Sequence, residues 1–278
     1  MHKIKKAFMK DWWKYLLAIG IVLIYCLPLF VLVNMSVKDI TDVSSRLSLP
    51  DKIYWGNYRE LFKEGSIVRA LINTTIISVI TVIAEVILAC MAAYPLSRNK
   101  SRFNRWIQTA IMGVMMIPPL SILVGVYSTL VRMQATSTYW GIILVSVAFG
   151  LPMPIYFFTN FINSIPRALD EASAIDGCNP VETFFYIILP QLKPPIVTII
   201  ILNGVGMWNE YGYSLYIFQK PQMYTLTLTM SQYFSASGAN NLNGAAAAAC
   251  VAIVPMIIMY LFLQKYFIKG TVDSAIKG

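Results

Sequence analysis

Few residues in this chain of 278 are placed to do covalent chemistry. His2 is the only histidine and lies near a terminus, so neither an H-E-x-x-H metal site nor a Ser/His triad can be assembled. No G-x-x-x-x-G-K-S/T phosphate loop occurs, so the chain does not itself bind ATP by that device. Cys26, Cys90, Cys178 and Cys250 are scattered without paired spacing and read as packing residues. Two acids, Glu85 and Glu210, fall inside apolar runs, where an ionisable group is costly enough to mark a functional position. Glu210 is the stronger of the two. It ends Asn203-Gly204-Val205-Gly206-Met207-Trp208-Asn209-Glu210, where glycines loosen a helix and Trp208, Asn209 and Glu210 supply hydrogen bonds and an aromatic face suited to a polyol. The same trio would serve equally as a hydrogen-bond cluster holding helices together.

Between the fourth and fifth apolar stretches lies a polar segment rich in helix punctuation, Glu171 to Pro195, EASAIDGCNPVETFFYIILPQLKPP. Ser164 is expected to cap a helix that Pro166 helps to start, with Asp170 and Glu171 placing negative charge at its N-terminal dipole. Gly177 is expected to stop that helix. Asn179 then caps a second one, with Pro180 at its first position and Glu182 three residues on as a capping-box partner, and Pro190 closes it. Residues 164–195 therefore predict a compact helix, turn, helix hairpin.

The elements around this hairpin are those of an all-α membrane protein. The composition is 57% hydrophobic and 13% charged, against about a quarter charged in ordinary soluble domains. Runs of the roughly 20 residues needed to cross hydrocarbon occur near 13–33, 70–96, 107–131, 139–163, 196–218 and 244–267. Six transmembrane helices in one domain, 1–278, place both termini on one side. Lys3, Lys5, Lys6, Lys10 and Lys14, then Arg98, Lys100, Arg102 and Arg105, and finally Lys265, Lys269 and Lys277 mark that side as cytosolic. The hairpin is then cytosolic too. The N-terminal basic and apolar run reads as a retained first span, being too long for a signal-peptide core and lacking a small-x-small cleavage site. The net charge of +9 is mainly this topological signal, and no soluble basic domain exists to bind nucleic acid. Prolines 118, 119, 152, 154 and 255 in or beside spans imply bent helices, which either shape a pathway or merely kink a static bundle. Asn73-Thr74-Thr75 fits a glycosylation pattern but begins a span, and Gly244 with Ala245 to Ala249 permits close helix approach.

Glu171-Ala172-Ser173-Ala174-Ile175-Asp176-Gly177, followed by Phe184, Ile187, Leu189, Pro190 and Pro194, resembles the E-A-A loop of the membrane-spanning subunits of bacterial ATP-binding-cassette importers. The likeness extends upstream through Phe161, Ile165-Pro166 and Leu169. Ser173 and Cys178 stand where alanine is usual, and Ala168 where an acid is common. Met116-Ile117-Pro118-Pro119, Ala148 to Pro152, Trp208-Asn209-Glu210 and the C-terminal Gln264 to Gly278 are similar to the carbohydrate-uptake branch, the shorter membrane subunit of the maltose transporter in particular. Thr225 to Asn243 is a loose version of that family's outer loop.

The resemblance implies a type I importer transmembrane fold in the bacterial cell membrane, without catalysis of its own. It implies a second homologous permease subunit, two ATPase subunits that hold ATP and Mg, and an extracytoplasmic binding protein delivering a sugar. Glu171, Ala172, Ala174, Ile175, Asp176, Gly177, Leu189 and Pro190 would couple to the ATPases, while Trp208, Asn209 and Glu210 would belong to the translocation path or its gate. Two other classes stay open on the residues alone. A secondary transporter or channel would use Glu85 and Glu210 as proton or cation sites. For the importer itself, the residues leave open a different organic solute such as a glycerol phosphodiester or an alcohol phosphate. A membrane enzyme would need a polar catalytic cluster that the sequence lacks.

Overall fold

The computed structural model describes residues 12–236 and 241–275, and every regular element among them is helical. His2, Lys3, Lys5, Lys6, Lys10 and Lys277 lie outside the described residues, as do residues 237–240 of the expected outer loop. Three helices, α1 (Trp12–Ser36), α3 (Ser66–Arg98) and the Leu242–Gln264 part of α13 (Leu242–Ala275), are each long and apolar enough to cross a membrane unbroken. Between the first two lies the short α2 (Gly56–Glu64).

The other expected spans are interrupted, as their prolines implied for 107–131 and 139–163. The run 107–131 is α4 (Arg102–Met115), a 3-10 turn at Pro119–Ile122 and α5 (Leu123–Arg132). Pro118 and Pro119 supply no backbone N–H, so the ladder ends in tight turns, with Met116 N–H donating to Gly113 O and Ile117 N–H to Val114 O. The run 139–163 is α6 (Tyr139–Gly150) and α7 (Pro152–Ser164), bent by 43° at Leu151. After the hairpin helices α8 (Ala168–Ile175) and α9 (Pro180–Gln191), the run 196–218 is α10 (Lys193–Trp208), a break at residues 209–211, and α11 (Gly212–Ile217). The 3-10 turn Pro221–Met223 and α12 (Leu226–Ala236) follow.

The chain divides into two compact units, residues 1–67 with 230–254 and residues 68–229 with 255–278. In the first, the loop after α1 is built round Lys38, which is 3% exposed and donates from Nζ to Ser44 Oγ at 2.7 Å and Ser45 O at 2.8 Å. Asn34 holds Arg46 O and Ser48 O, and Asn57 holds Ser36 O and Lys38 O, so buried amides satisfy the loop's carbonyls. Hydrogen bonds from Thr41 and Ser44 keep Asp39 and Asp42 below the usual carboxylate range. Ala245 to Ala248 are buried, in keeping with the close packing expected of that run. Gly65 ends α2 at φ +71°, in the left-handed region that glycine enters without strain.

The second unit has two apolar clusters. One joins Ala89, Cys90 and Ala93 of α3, Phe158 and Ile162 of α7, Phe184 and Ile188 of α9, and Leu192 and Ile199. Small residues on α3 let the aromatic and branched side chains of α7 and α9 approach closely. The other joins Ile77, Leu130, Ile142, Val145, Ile217 and Leu228. Asn73, rather than facing a glycan, donates to Gln222 O at 2.9 Å and Tyr224 O at 3.0 Å and accepts from Tyr139 Oη at 2.8 Å.

Candidate functional site

The hairpin takes its shape from its end residues. Pro166 disfavours helical backbone at Ile165, which is extended at ψ 126°, so α7 ends there. Ser164 does not cap α8, contrary to expectation. It is the last residue of α7 and its Oγ bonds back to Phe161 O at 2.7 Å, while Arg167 sits at the α8 cap without a side-chain capping bond. Asp170 and Glu171 occupy the first turn of α8, as the dipole favours. At the other end Gly177 has φ +89°, its N–H donates to Ala174 O, and Cys178 N–H reaches Ser173 O. This pair of bonds is a Schellman motif with Gly177 as the left-handed residue.

Asn179 and Glu182 form the complete capping box. Asn179 Oδ1 accepts from Val181 N and Glu182 N at 3.0 Å each, and Glu182 Oε2 accepts from Asn179 N at 2.8 Å. The middle of α9 widens into a π-helix over Thr183–Ile188. Pro190 offers no N–H to carry the ladder on, yet the helix runs to Gln191 before Leu192 breaks it, so the expected stop at Pro190 falls slightly early. From there α10 departs at 71°.

The two faces of α8 differ. Glu171, Ala172, Ala174, Ile175, Asp176 and Gly177 are all exposed, Ile175 by 87%. Asp170 and Ser173, three apart and so on one side of the helix, face the protein. Ser173 is buried, and its Oγ lies 2.8 Å from Thr183 Oγ1 of α9 and donates to Asp170 O at 2.8 Å. On α9, Leu189 packs against the core while Pro190, Val181 and Tyr186 are exposed. Apolar side chains thus stand outside on a unit anchored by Phe184, Ile188 and Leu192 beneath it.

Asp170 meets the end of α3. Its Oδ1 accepts from Tyr94 Oη at 2.8 Å and Arg98 Nε at 3.2 Å, and its Oδ2 lies 2.8 Å from Arg98 Nη2. Arg98 Nη1 also donates to Ile162 O and Ile165 O at the end of α7, and Arg167 Nη2 donates to Arg98 O. Sequence reasoning missed this cluster because Arg98 had been spent on topology and Asp170 on the helix dipole. The signal was an arginine ending one apolar run and an acid opening the helix after another.

The structure places Trp208, Asn209 and Glu210 at the break between α10 and α11. Asn209 Nδ2 turns back to Val205 O at 2.8 Å. Glu210 accepts from Tyr213 N at 2.5 Å, from Ser214 N at 3.1 Å and from Ser214 Oγ at 2.6 Å, so its carboxylate closes the first turn of α11. Trp208 is buried and borders a cavity of about 410 Å³ lined with Val82, Gly204, Pro255 and Met259. These contacts tie Asn209 to the last turn of α10 and Glu210 to the first turn of α11.

Glu85 is the acid that bridges helices. It is 3% exposed, accepts from Asn203 Nδ2 of α10 at 2.6 Å, and lies against Gly150 at the α6–α7 bend. A Cβ at Gly150 would come within 1.9 Å of Glu85 Oε1. Among the described residues no group of His, Cys, Asp and Glu could hold a metal ion.

Comparison with known proteins identifies the family. Residues 85–272 match the family described as "Binding-protein-dependent transport system inner membrane component". The chain is 35% identical over 264 residues to the melibiose/raffinose/stachyose import permease protein MelC of Bacillus subtilis (strain 168), covering 95% of each. It is 32% identical to the multiple sugar-binding transport system permease protein MsmG of Streptococcus mutans, covering 98% of this chain and 99% of that one. Its fold is shared, at a TM-score of 0.81 and 21% identity, with a chain in the crystal structure of a bacterial ABC transporter involved in the import of the acidic polysaccharide alginate, covering 94% of this chain and 98% of that one. A helical chain whose homology runs from the buried Glu85, through the hairpin, into its last helix belongs to the family of binding-protein-dependent transport system inner membrane components.

Proposed function

We propose that this chain is a membrane-spanning permease subunit of an ATP-driven importer and forms half of the translocation path for a sugar or oligosaccharide. An extracytoplasmic binding protein delivers the solute, a second homologous permease completes the path, and two ATPase subunits hold ATP and Mg on the cytosolic side. The chain is a transport component without catalysis of its own. It lies in the bacterial cell membrane as one transmembrane domain of six spans, the interrupted runs counted as bent spans, with both termini cytosolic. The sugar reading rests on relatives named for melibiose, raffinose and stachyose and for multiple sugars. A solved transporter of similar fold, in complex with an alginate pentasaccharide-bound periplasmic protein, supports the binding-protein partner.

The observation that carries this reading is the outward face of α8. Ala172, Ala174 and Ile175 stand exposed on a short helix whose inner face is tied down and whose end is fixed by Gly177. Such a unit can seat in a groove of an ATPase and be dragged when the ATPases close round ATP. The test is Gly177→Asp. No atom lies within 4 Å of a Cβ built there, so the fold tolerates the side chain, but a left-handed residue other than glycine costs about 1–2 kcal/mol and adds charge to the contact. We expect the variant to insert normally and to lose ATPase binding or coupled uptake. Normal ATP-dependent uptake by this variant would contradict the coupling role.

A further inference from the structure

The hairpin and the break after α10 are separated along the chain, yet one helix holds both. At one end of α3, Arg98 and Tyr94 grip Asp170 of α8, and Arg98 also grips Ile162 O and Ile165 O of α7. At its other end, Asn73 holds Gln222 O and Tyr224 O, and Thr74 Oγ1 accepts from Leu226 N at 2.7 Å. One residue further on, Thr227 Oγ1 donates to Glu210 O at the break itself. Asn73 and Arg98 lie on the unbroken α3, separated by about 37 Å at 1.5 Å per residue.

We propose that α3 is a lever between the coupling hairpin and the 209–227 segment, clamped to the first by the Arg98–Asp170 pair and to the second by Asn73. The inference rests on the coupling role of the hairpin and adds the route by which its displacement leaves it. Its physical basis is the quality of the two clamps. The guanidinium hydrogen-bonds one carboxylate oxygen through Nε and lies 2.8 Å from the other through Nη2 as an ion pair, while Nη1 engages two carbonyls, a set of contacts that lysine cannot reproduce. Asp170 is at most one-fifth exposed and Arg98 less, so water competes weakly for either group. The asparagine likewise uses both ends of its amide, donating to two carbonyls and accepting from Tyr139. A push on the exposed face of α8 therefore has a stiff connection to α3 and α7, and α3 has one to the far segment. Arg98, Asp170 and Asn73 are on this account positioning residues, acting through the helix they hold.

The experiment uses the permease copurified with its ATPase subunits, carrying a single reporter cysteine at the exposed Lys220 (Lys220→Cys) in a background without the native cysteines. The rate of labelling by a water-soluble maleimide is compared with and without ATP and Mg²⁺. In the parent, nucleotide should change that rate about fivefold or more, within the range of ordinary coupling free energies. Asp170→Asn and Asn73→Leu should each retain the ATPase subunits but abolish the nucleotide effect, and the double variant should do no more than either alone. Asp170→Glu, which keeps the ion pair, should restore part of it. If Asp170→Asn fails to insert, Arg98→Lys carries the same test, because it keeps the charge and removes the fork. A full nucleotide effect in Asp170→Asn, with none in Gly177→Asp, would overturn the lever while leaving the coupling hairpin intact. An undiminished nucleotide effect in Gly177→Asp would overturn the coupling reading itself.

Discussion

Ser173 shows how a departure from a family pattern acquires a physical reason. Where alanine is usual, its hydroxyl is buried against Thr183 and ties α8 to α9. Removing one partner strands the other, at about 1–3 kcal/mol, whereas removing both is close to neutral. Ser173→Ala should lower the melting temperature of the purified protein by a few degrees, and Ser173→Ala with Thr183→Val should recover most of it. Additive losses in a thermal-unfolding double-mutant cycle would mean that the two hydroxyls act independently. At this scale the caps were the most legible feature: Asn179, Pro180 and Glu182 declare themselves by spacing, and Gly177 by its place after an apolar helix. Ser164 misled because a serine before proline satisfies the capping rule just as well as it satisfies a bond back to the preceding turn. The partners of Ser173, Arg98 and Asn203 escape a local reading, since they lie 10, 72 and 118 positions away.

Among the elements, the α6–α7 bend was foreseen only as proline punctuation. Pro152 starts α7 without needing an N–H partner, but the space for Glu85 comes from Gly150. Gly150→Ala should push the Glu85 carboxylate off Asn203, with a loss of about 1–3 kcal/mol, the ordinary range for overpacking. The loss should vanish in a Glu85→Ala background, because the clash is with that side chain. An equal loss in both backgrounds, read from thermal unfolding, would assign the cost to the backbone instead. The π-helical stretch of α9 was not legible, because Thr183–Ile188 has the same apolar pattern in either helical form. The break at residues 209–211 was illegible for a related reason: hydropathy reports which residues prefer lipid, and no proline marks where this backbone ladder ends.

For the molecule as a whole, apolar runs made the helical membrane class legible, and basic loops an expected topology. That topology predicts opposite exposure for two surface positions of the larger unit. With membrane-impermeant maleimide on intact cells, Lys220→Cys should label readily, and Ile175→Cys only after the membrane is permeabilised. Labelling of both from outside would contradict cytosolic placement of the hairpin. The family could be read because the hairpin couples several rare residue types at fixed spacing, a far narrower signal than greasiness. A cargo could not, because the strongest sequence cluster, Trp208-Asn209-Glu210, names no solute, and Asn209 and Glu210 bond to the neighbouring helix ends. The most direct test of the central claim is photo-crosslinking from position 175. With Ile175 replaced by benzoylphenylalanine in the assembled transporter, the account predicts an ultraviolet-dependent adduct to an ATPase subunit, and exclusive adducts to lipid or to the second permease would contradict it.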